Sequence, residues 1–146
     1  MSTLDQTDQQ LVHLLEKDAT KSSAALAKML SISPATVRRR IGRLIKDGVI
    51  RITATVDAGK VGFYLISLIT LNVDPAKINV ATGILRSKKN VRWVAVSSGR
   101  YNIVILARFS STEELHLFIQ DDLAKLDGLE TSETFICLSI EKGRYM

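Results

Sequence analysis

The chain has 146 residues, and its 46% hydrophobic and 24% charged residues predict a folded core and exclude extended disorder. The formal net charge is +5, and residues 1–60 hold ten Lys and Arg against six Asp and Glu, so an acidic partner is expected for that part. A single cysteine, Cys137, excludes an internal disulfide, and the polar first residues and short apolar runs predict a cytoplasmic protein without a signal peptide or membrane span.

Three helices are predicted in the first 47 residues. The first runs from Leu4 and Asp5 to about Lys17 with an apolar stripe, and the second, rich in small and apolar residues, covers residues 22–30. Three residues separate it from a third helix over residues 34–46. This arrangement predicts a helix-turn-helix, with the first helix packed on the other two because it is too short to be stable alone.

The helix over residues 34–46 has clear start and stop signals. Ser33 is a favoured N-cap residue and Pro34 suits the first helical position, while Asp47 and Gly48 are typical of a helix end. From its fifth residue onward the helix carries five basic residues and no acidic one. An ordinary amphipathic helix with a solvated basic face would show the same charges, but the preceding helix and turn favour a recognition helix for the DNA major groove.

Roles in DNA binding follow from these positions. Residues 49–56 are rich in β-branched side chains and predict a strand or hairpin arm where a wing would lie. Residues near the start of the recognition helix are expected to contact base edges: Ala35, Thr36 and Arg39. Basic or hydroxyl side chains are expected to bind phosphates or to lie at the helix ends that approach DNA: Ser22, Ser33, Arg38, Arg40, Arg43, Lys46 and Arg51.

The pattern changes after residues 57–62, the predicted joint between a domain at 1–60 and a domain at 61–146. The second domain has the order β-α-β-β-α-β, which predicts an α+β, ferredoxin-like fold. Strands are predicted over residues 63–73, 91–98, 103–109 and 131–140, and helices over residues 75–87 and 111–126. The first strand is apolar at nearly every position, so both faces of the sheet should be covered. A second copy of the sheet is the simplest cover for the face without helices.

With both halves placed, the sequence resembles the Lrp/AsnC family of feast/famine transcriptional regulators. The resemblance lies in the segments LDQTDQQLVHLLEKDA, ALAKMLSISPATVRRRIGRLIKDGVI, VSSGRYNI and LAKLDGLETSETF. It implies a winged helix-turn-helix followed by a ligand-sensing domain, often called the RAM domain, that binds small effectors, usually amino acids, where dimers meet. It also implies that homodimers form through the C-terminal sheets, commonly assemble into octamers and bind double-stranded DNA.

The loop between the second and third C-terminal strands departs from the family pattern. The resemblance implies effector contacts by this loop and the last strand, through Ser98, Gly99, Arg100, Tyr101, Asn102 and Thr134. Where the family often has Gly-Asp-aromatic-Asp, this chain has Gly-Arg-Tyr-Asn. Two acids would hold an α-ammonium group, whereas Arg100 favours an anionic or neutral ligand. A tight turn with a solvent-facing arginine and no ligand is the alternative.

Two other functions stay open at this point. A minority of proteins similar to the family are sirohaem decarboxylases, for which His116 and Arg100 would have to serve in the C-terminal domain, although the basic helix argues against this. A ligand-independent architectural DNA-binding protein is the other alternative. The sequence shows no nucleophile-base set, phosphate-binding glycine loop or metal-ligand spacing, so no catalytic residue, cofactor or metal is expected. Asp122 falls near the apolar face of its helix, which predicts a subunit contact or a bend.

Overall fold

The computed structural model describes residues 4–141, and the chain divides into two compact units between Ala54 and Thr55. The predicted joint at residues 57–62 lies in the second unit, where residues 59–61 form a short 3-10 turn. The functional boundary between residues 60 and 61 stays a prediction.

The first unit contains three helices: α1 (Gln6–Lys17), α2 (Ser23–Leu30) and α3 (Pro34–Lys46). Each helix begins after a polar residue whose side chain accepts a backbone hydrogen bond: Asp5, Ser22 and Ser33. Of these three, Ser33 was predicted as an N-cap, whereas Asp5 and Ser22 were predicted as the first residues of their helices. The turn between α2 and α3 places Ser31 in the left-handed region, at φ 55°. The inner faces of the helices share a core of six buried residues: Leu11, Leu15, Leu26, Ala27, Val37 and Leu44. The helix-turn-helix prediction is confirmed.

The strand expected over residues 49–56 is wrong. Residues 50–56 form neither helix nor strand, and the side chains of Ile52 and Val56 are largely exposed. The preference of β-branched residues for strands depends on packing against a neighbouring strand. Within the described residues, no strand pairs with this segment, so its composition alone does not produce one. The predicted wing is therefore an irregular segment, of which residues 50–54 belong to the first unit and residues 55 and 56 to the second.

The second unit follows the predicted β-α-β-β-α-β order, which is confirmed. Its elements are β1 (Leu65–Val73), α4 (Ile78–Ser87), β2 (Val91–Val96), β3 (Ile103–Phe109), α5 (Thr112–Leu117) and β4 (Leu129–Ile136). The four strands form one antiparallel sheet in the order β2-β3-β1-β4. The first, second and last strands are shorter than predicted, and a 3-10 turn over Pro75–Lys77 precedes α4.

One face of this sheet is covered by the helices. Alternate residues of β1 and β3 are fully buried there, and Phe109 meets the ring of Phe118 at 5.3 Å between centroids. The core joins strand and helix residues: Ile69, Leu71, Val73, Ala81, Leu85, Ile103, Ile105, Ala107, Phe109, Leu115, Phe118, Leu123 and Leu126. Among residues 4–141, the helices of this unit pack in the core on that face and not on the opposite one.

The predicted helix over residues 111–126 is not a single α-helix. α5 ends at Leu117 and the chain continues as a π-helix over Phe118–Leu123. Asp122 lies in this π-helical segment and forms an ion pair with Lys88, with 2.5 Å between Oδ1 and Nζ. The change of winding agrees with the predicted bend, and the predicted subunit contact of Asp122 stays a prediction.

Candidate nucleic-acid interface and effector loop

The residues predicted to contact DNA lie mainly at the surface of α3 and its surroundings. Eight of the ten are exposed: Ser22, Ser33, Ala35, Arg38, Arg39, Arg43, Lys46 and Arg51. We call the exposed basic side chains of α3 (Arg38, Arg39, Arg43 and Lys46) the basic face. Thr36 and Arg40 are half-buried.

The start of α3 is held by its N-cap. The Ser33 hydroxyl oxygen accepts a hydrogen bond from the Thr36 backbone N–H at 3.1 Å and lies 2.9 Å from the Thr36 hydroxyl. Thr36 is thus part of the cap as well as a predicted base contact. Ala35, beside it, presents only a methyl group. The first turn is therefore narrow, and a narrow first turn can approach the base edges in a major groove closely.

The arginines of α3 do not all face solvent. Arg40 donates from Nη1 to Asp5 Oδ2 at 2.6 Å and to Asp8 Oδ1 at 2.8 Å, and its side chain is 20% exposed. Arg43 donates from Nη2 to Asp8 Oδ2 and stays 44% exposed. Arg40 and Arg43 line a cleft of about 210 Å³ together with Arg39. Two carboxylates of α1 and its cap therefore neutralise part of the charge predicted to face DNA.

Sequence reasoning missed the role of Asp8, which is the only buried carboxylate among the described residues. Asp5 and Asp8 form a reciprocal capping box: the Asp8 N–H donates to Asp5 at 2.8 Å, and the Asp5 N–H donates to Asp8 at 3.3 Å. The three-residue spacing of these acids at a helix start was a visible signal for the box. It gave no sign of the arginine partners, which lie on another helix.

The two remaining predicted phosphate contacts lie outside α3. Ser22 caps α2, and its hydroxyl oxygen accepts from the Ala25 N–H at 3.2 Å. Arg51 is exposed on the irregular segment after α3 and lines a cleft of about 390 Å³ with residues of α1 such as Leu15 and Glu16. Both side chains lie in the first unit, with the rest of the predicted interface.

The predicted effector loop is organised around Tyr101. The guanidinium of Arg100 lies over the Tyr101 ring at 5.6 Å, and the Tyr101 hydroxyl donates to Glu133 Oε2 at 2.8 Å. This hydrogen bond to Glu133, with burial and the negative charge of Glu133, raises the pKa of Tyr101. The Ser97 hydroxyl fixes the same loop by donating to the Tyr101 carbonyl oxygen at 2.7 Å.

Asn102 closes the loop on the end of β1. Its side-chain oxygen accepts from the Val73 N–H at 3.0 Å, and its side-chain nitrogen donates to the Val73 carbonyl oxygen at 2.6 Å. The Asn102 side chain thus makes the two hydrogen bonds that a neighbouring strand would make with Val73, and both of its polar atoms are used. Gly99 takes φ 137°, a conformation that favours glycine. The loop is therefore a defined structure in which Arg100 has the exposed head group.

The structure does not bring all the predicted effector residues together. Ser98, Gly99 and Arg100 are exposed in the loop. Thr134 lies opposite Ile69, on the face of the sheet that the helices cover, whereas Glu133 lies opposite Thr70 on the other face. Glu133, which sequence reasoning did not single out, is the β4 residue that reaches the loop. Whether these residues bind an effector stays a prediction.

The second sheet face carries a row of large apolar residues that is incompletely covered. Trp93, Leu106, Leu68 and Phe135 lie in one row across the four strands by their register. Trp93 is 52% exposed and Phe135 is 47% exposed. We call this row the open face. Single exposed apolar residues are common, but an aligned row of large ones is typical of a protein interface.

Other kinds of site find little support in the described part of the chain. Residues 4–141 contain no group of three or more His, Cys, Asp or Glu side chains placed to hold a metal ion. Across those same residues, no helix has the length and apolar character needed to cross a membrane. His116 lines a shallow surface cleft with Thr112, Glu113 and Leu117, whereas Arg100 contacts Tyr101.

Comparison with known families and structures agrees with this architecture. Residues 4–51 match a model for winged helix-turn-helix DNA-binding, and residues 67–146 match the Lrp/AsnC ligand binding domain. An uncharacterized HTH-type transcriptional regulator of Pyrococcus horikoshii is 30% identical over 97% of this chain and 90% of its own. The HTH-type transcriptional regulator FL11 of Pyrococcus furiosus is 28% identical over 95% of this chain and 92% of its own.

Solved structures share the fold at lower identity. Escherichia coli AsnC matches with a TM-score of 0.86 and 23% identity, over 99% of this chain and 98% of AsnC. A transcriptional regulator from Neisseria meningitidis, solved as a complex with L-Met, matches with a TM-score of 0.88 and 19% identity, over 97% and 94% of the two chains. The family models and the Pyrococcus relative together show that this chain belongs to the Lrp/AsnC family of transcriptional regulators.

Proposed function

We propose that this protein binds double-stranded DNA sequence-specifically as a homodimer and regulates transcription in the cytoplasm. The observation that carries the proposal is the basic face, where four cationic side chains are exposed on one capped helix. Two such helices, about 34 Å apart, would enter successive major grooves. Base edges would be contacted by Ala35, Thr36 and Arg39, and phosphates by Arg38, Arg43, Lys46, Arg51 and the α2 cap at Ser22.

Self-association is proposed to occur through the open face. A second copy of the same sheet would cover Trp93, Leu106, Leu68 and Phe135 with matching apolar side chains, as a twofold interface requires. Pairing of this kind would set the distance between the two recognition helices. Assembly into larger oligomers such as octamers is compatible with the proposal and requires further surfaces.

Sequence specificity can be tested by comparing two cationic residues of the basic face. Arg39→Ala should weaken binding to an operator selected from a random DNA library by about 1–3 kcal/mol and should relax base preference. Lys46→Ala should weaken operator and random DNA equally, because a phosphate contact carries no sequence information. Fluorescence anisotropy on both DNAs measures the difference. An equal loss on both DNAs for Arg39→Ala would remove Arg39 from the base-contact set.

We further propose that a small molecule binds the second unit beside the β2–β3 loop and modulates DNA binding. The Neisseria meningitidis regulator with this fold was solved with L-Met, which supports a metabolite-sized ligand. In this chain the exposed head group is the Arg100 cation, so carboxylate-bearing or other anionic ligands are favoured over a free α-ammonium group. Ser98, Gly99, Tyr101, Asn102 and, from the covered face, Thr134 remain the proposed neighbours.

A thermal-shift screen of amino acids and small organic anions tests this assignment. A ligand that binds only the folded protein raises the melting temperature, by an amount set by its concentration relative to Kd. Arg100→Asp should abolish the shift for anions and leave the unliganded melting temperature nearly unchanged, since Arg100 is exposed. A ligand whose shift survives Arg100→Asp binds elsewhere.

A further inference from the structure

We infer that Asp8 is a positioning residue for DNA binding: it retains Arg40 within the protein and aims Arg43, so that of these two arginines only Arg43 neutralises a DNA phosphate. The inference deepens the proposed function and rests on it, because it assumes that α3 contacts DNA. It also reassigns Arg40, which the sequence predicted as a phosphate contact, to a role inside the first unit.

The geometry divides the two oxygens of Asp8 between two arginines. Oδ1 accepts from Arg40 Nη1 at 2.8 Å, and Oδ2 accepts from Arg43 Nη2 and, at 3.3 Å, from the Asp5 N–H. The Asp8 side chain is 1% exposed. A carboxylate that is buried and shared in this way has one favourable orientation, because any rotation would leave a buried charge without its partner. α1 is thereby connected to the middle of α3 at a fixed rotation.

Arg40 and Arg43 differ in how much of the guanidinium group stays available to bind a DNA phosphate. Arg40 meets two carboxylates through Nη1, and its side chain is only 20% exposed. Arg43 is tethered through Nη2 alone and is 44% exposed. The Arg40 guanidinium lowers the pKa of Asp5, which keeps that carboxyl ionised at neutral pH. A cation already matched by two anions releases few DNA counterions, whereas the outer edge of Arg43 can still reach a phosphate.

The direction in which DNA affinity changes when the Asp8 charge is removed separates a positioning role from a purely electrostatic one. Asp8 is a negative charge on a surface proposed to face a polyanion, so its removal should strengthen DNA binding if charge alone mattered. If Asp8 positions α3 and Arg43, its removal should weaken binding despite the gain in net positive charge. Glu16, an exposed acid on the same helix, provides the matched control.

The experiment measures operator affinity at several salt concentrations for the full-length chain and its variants. We expect Asp8→Asn to weaken operator binding about tenfold, and Glu16→Gln to leave it equal or slightly stronger. Arg43→Ala removes one phosphate contact from each protomer, so it should lower the slope of log K against log salt by about two, and Arg43→Lys, which keeps the charge, should restore it. Arg40→Ala should weaken binding with no change in that slope.

Stoichiometric titration at DNA concentrations far above Kd measures the folded, active fraction of each variant, so that loss of folding is not read as loss of affinity.

Each outcome decides one point. Stronger binding by Asp8→Asn, or a slope for Arg40→Ala reduced as much as for Arg43→Ala, would overturn the inference while leaving DNA binding intact. An unchanged Kd with a smaller active fraction for Asp8→Asn would show a role in stability alone and would also overturn it. Failure of the unmodified protein to select any DNA sequence would overturn the proposed function itself.

Discussion

The two units expose opposite kinds of surface, one basic and one apolar. The first unit buries a small apolar core and exposes the basic face, and even its buried Asp8 does not neutralise all the arginines of α3. The second unit covers one face of its sheet with helices and leaves the open face, with Trp93 and Phe135 about half exposed. The first surface is suited to a polyanion and the second to another apolar surface. The two associations should therefore respond differently to salt and to added charge.

Salt should separate the two associations most strongly. The proposed dimer, contacting about eight phosphates through Arg38, Arg43, Lys46 and Arg51 of each protomer, should lose roughly 10³–10⁵ in DNA affinity between 50 and 200 mM salt. The self-association constant should change little over the same range, since the open face is uncharged along its row. Anisotropy with labelled DNA and sedimentation equilibrium of the protein alone provide the two measurements. DNA affinity that does not depend on salt would contradict the phosphate contacts.

A charge placed on the open face should convert the proposed dimer to a monomer. Leu68 lies in the centre of the row, opposite Leu106 on one side and Phe135 on the other, so Leu68→Arg would bury an unpaired cation in the proposed interface. Operator affinity should then fall by roughly 10²–10⁴, because the two recognition helices no longer bind as a linked pair.

The matched control for that change is Val80→Arg. Val80 is also apolar and 56% exposed, but it lies on α4 rather than on the sheet. It should leave both the mass of the particle and the operator affinity unchanged. Circular dichroism checks that each variant is folded. If Leu68→Arg stays dimeric at micromolar concentration, the open face is not the interface.

The parts predicted from sequence are those determined by neighbours along the chain. Ser33, Pro34 and Gly48 specify the ends of α3 through local backbone chemistry, and the alternation of strands and helices specifies the order of the second unit. The prediction of a strand at residues 49–56 was wrong because a strand depends on a partner that is distant along the chain. Its composition is suited to a sheet, but within the described residues no neighbouring strand is present to pair with it.

The exposure of the basic side chains of α3 was predicted from the sequence, whereas their ion pairs were not. Helical geometry placed the basic side chains on α3 correctly, but Asp8 and Arg40 are 32 positions apart and meet only through packing of α1 on α3. The same holds for Tyr101 and Glu133, which also lie 32 positions apart. Periodicity assigns a residue to a face, and it does not tell which residue of another element that face will meet.

Alanine substitutions at two glycines, one in each unit, should differ in how much they destabilise the protein. Gly48 follows α3 at φ 70° and Gly128 precedes β4 at φ 79°. A Cβ atom added at Gly128 would lie 2.9 Å from Lys77 Cγ and 3.2 Å from Asp74 Cβ, whereas at Gly48 it would meet no described atom within 4 Å. Gly48→Ala should cost about 1–2 kcal/mol from the left-handed conformation alone, and Gly128→Ala should cost more.

Urea denaturation of the two variants measures these free energies of unfolding. Equal losses would mean that Lys77 moves aside at little cost. If Lys77 moves, the 2.7 Å ion pair between its Nζ and Asp127 Oδ2 should be lost as well. Lys77→Met removes that ion pair beforehand, so Gly128→Ala should destabilise the Lys77→Met variant less than the unmodified protein.

The smallest expected effect is a dependence of stability on pH in the first unit. Hydrogen bonds from Lys21 and Thr20 lower the pKa of Asp18 from 3.8 to about 2. Because the pKa is lower in the folded state, the stabilisation is complete above about pH 4 and is lost as the pH falls towards 2. The melting temperatures of the unmodified protein and Asp18→Asn should therefore differ at neutral pH and converge near pH 2. Lys21→Met should reduce that difference at neutral pH, since Lys21 is the largest cause of the shift. A difference that stays constant from pH 7 to pH 2 would show that the Asp18 carboxylate contributes through its shape and not through its charge.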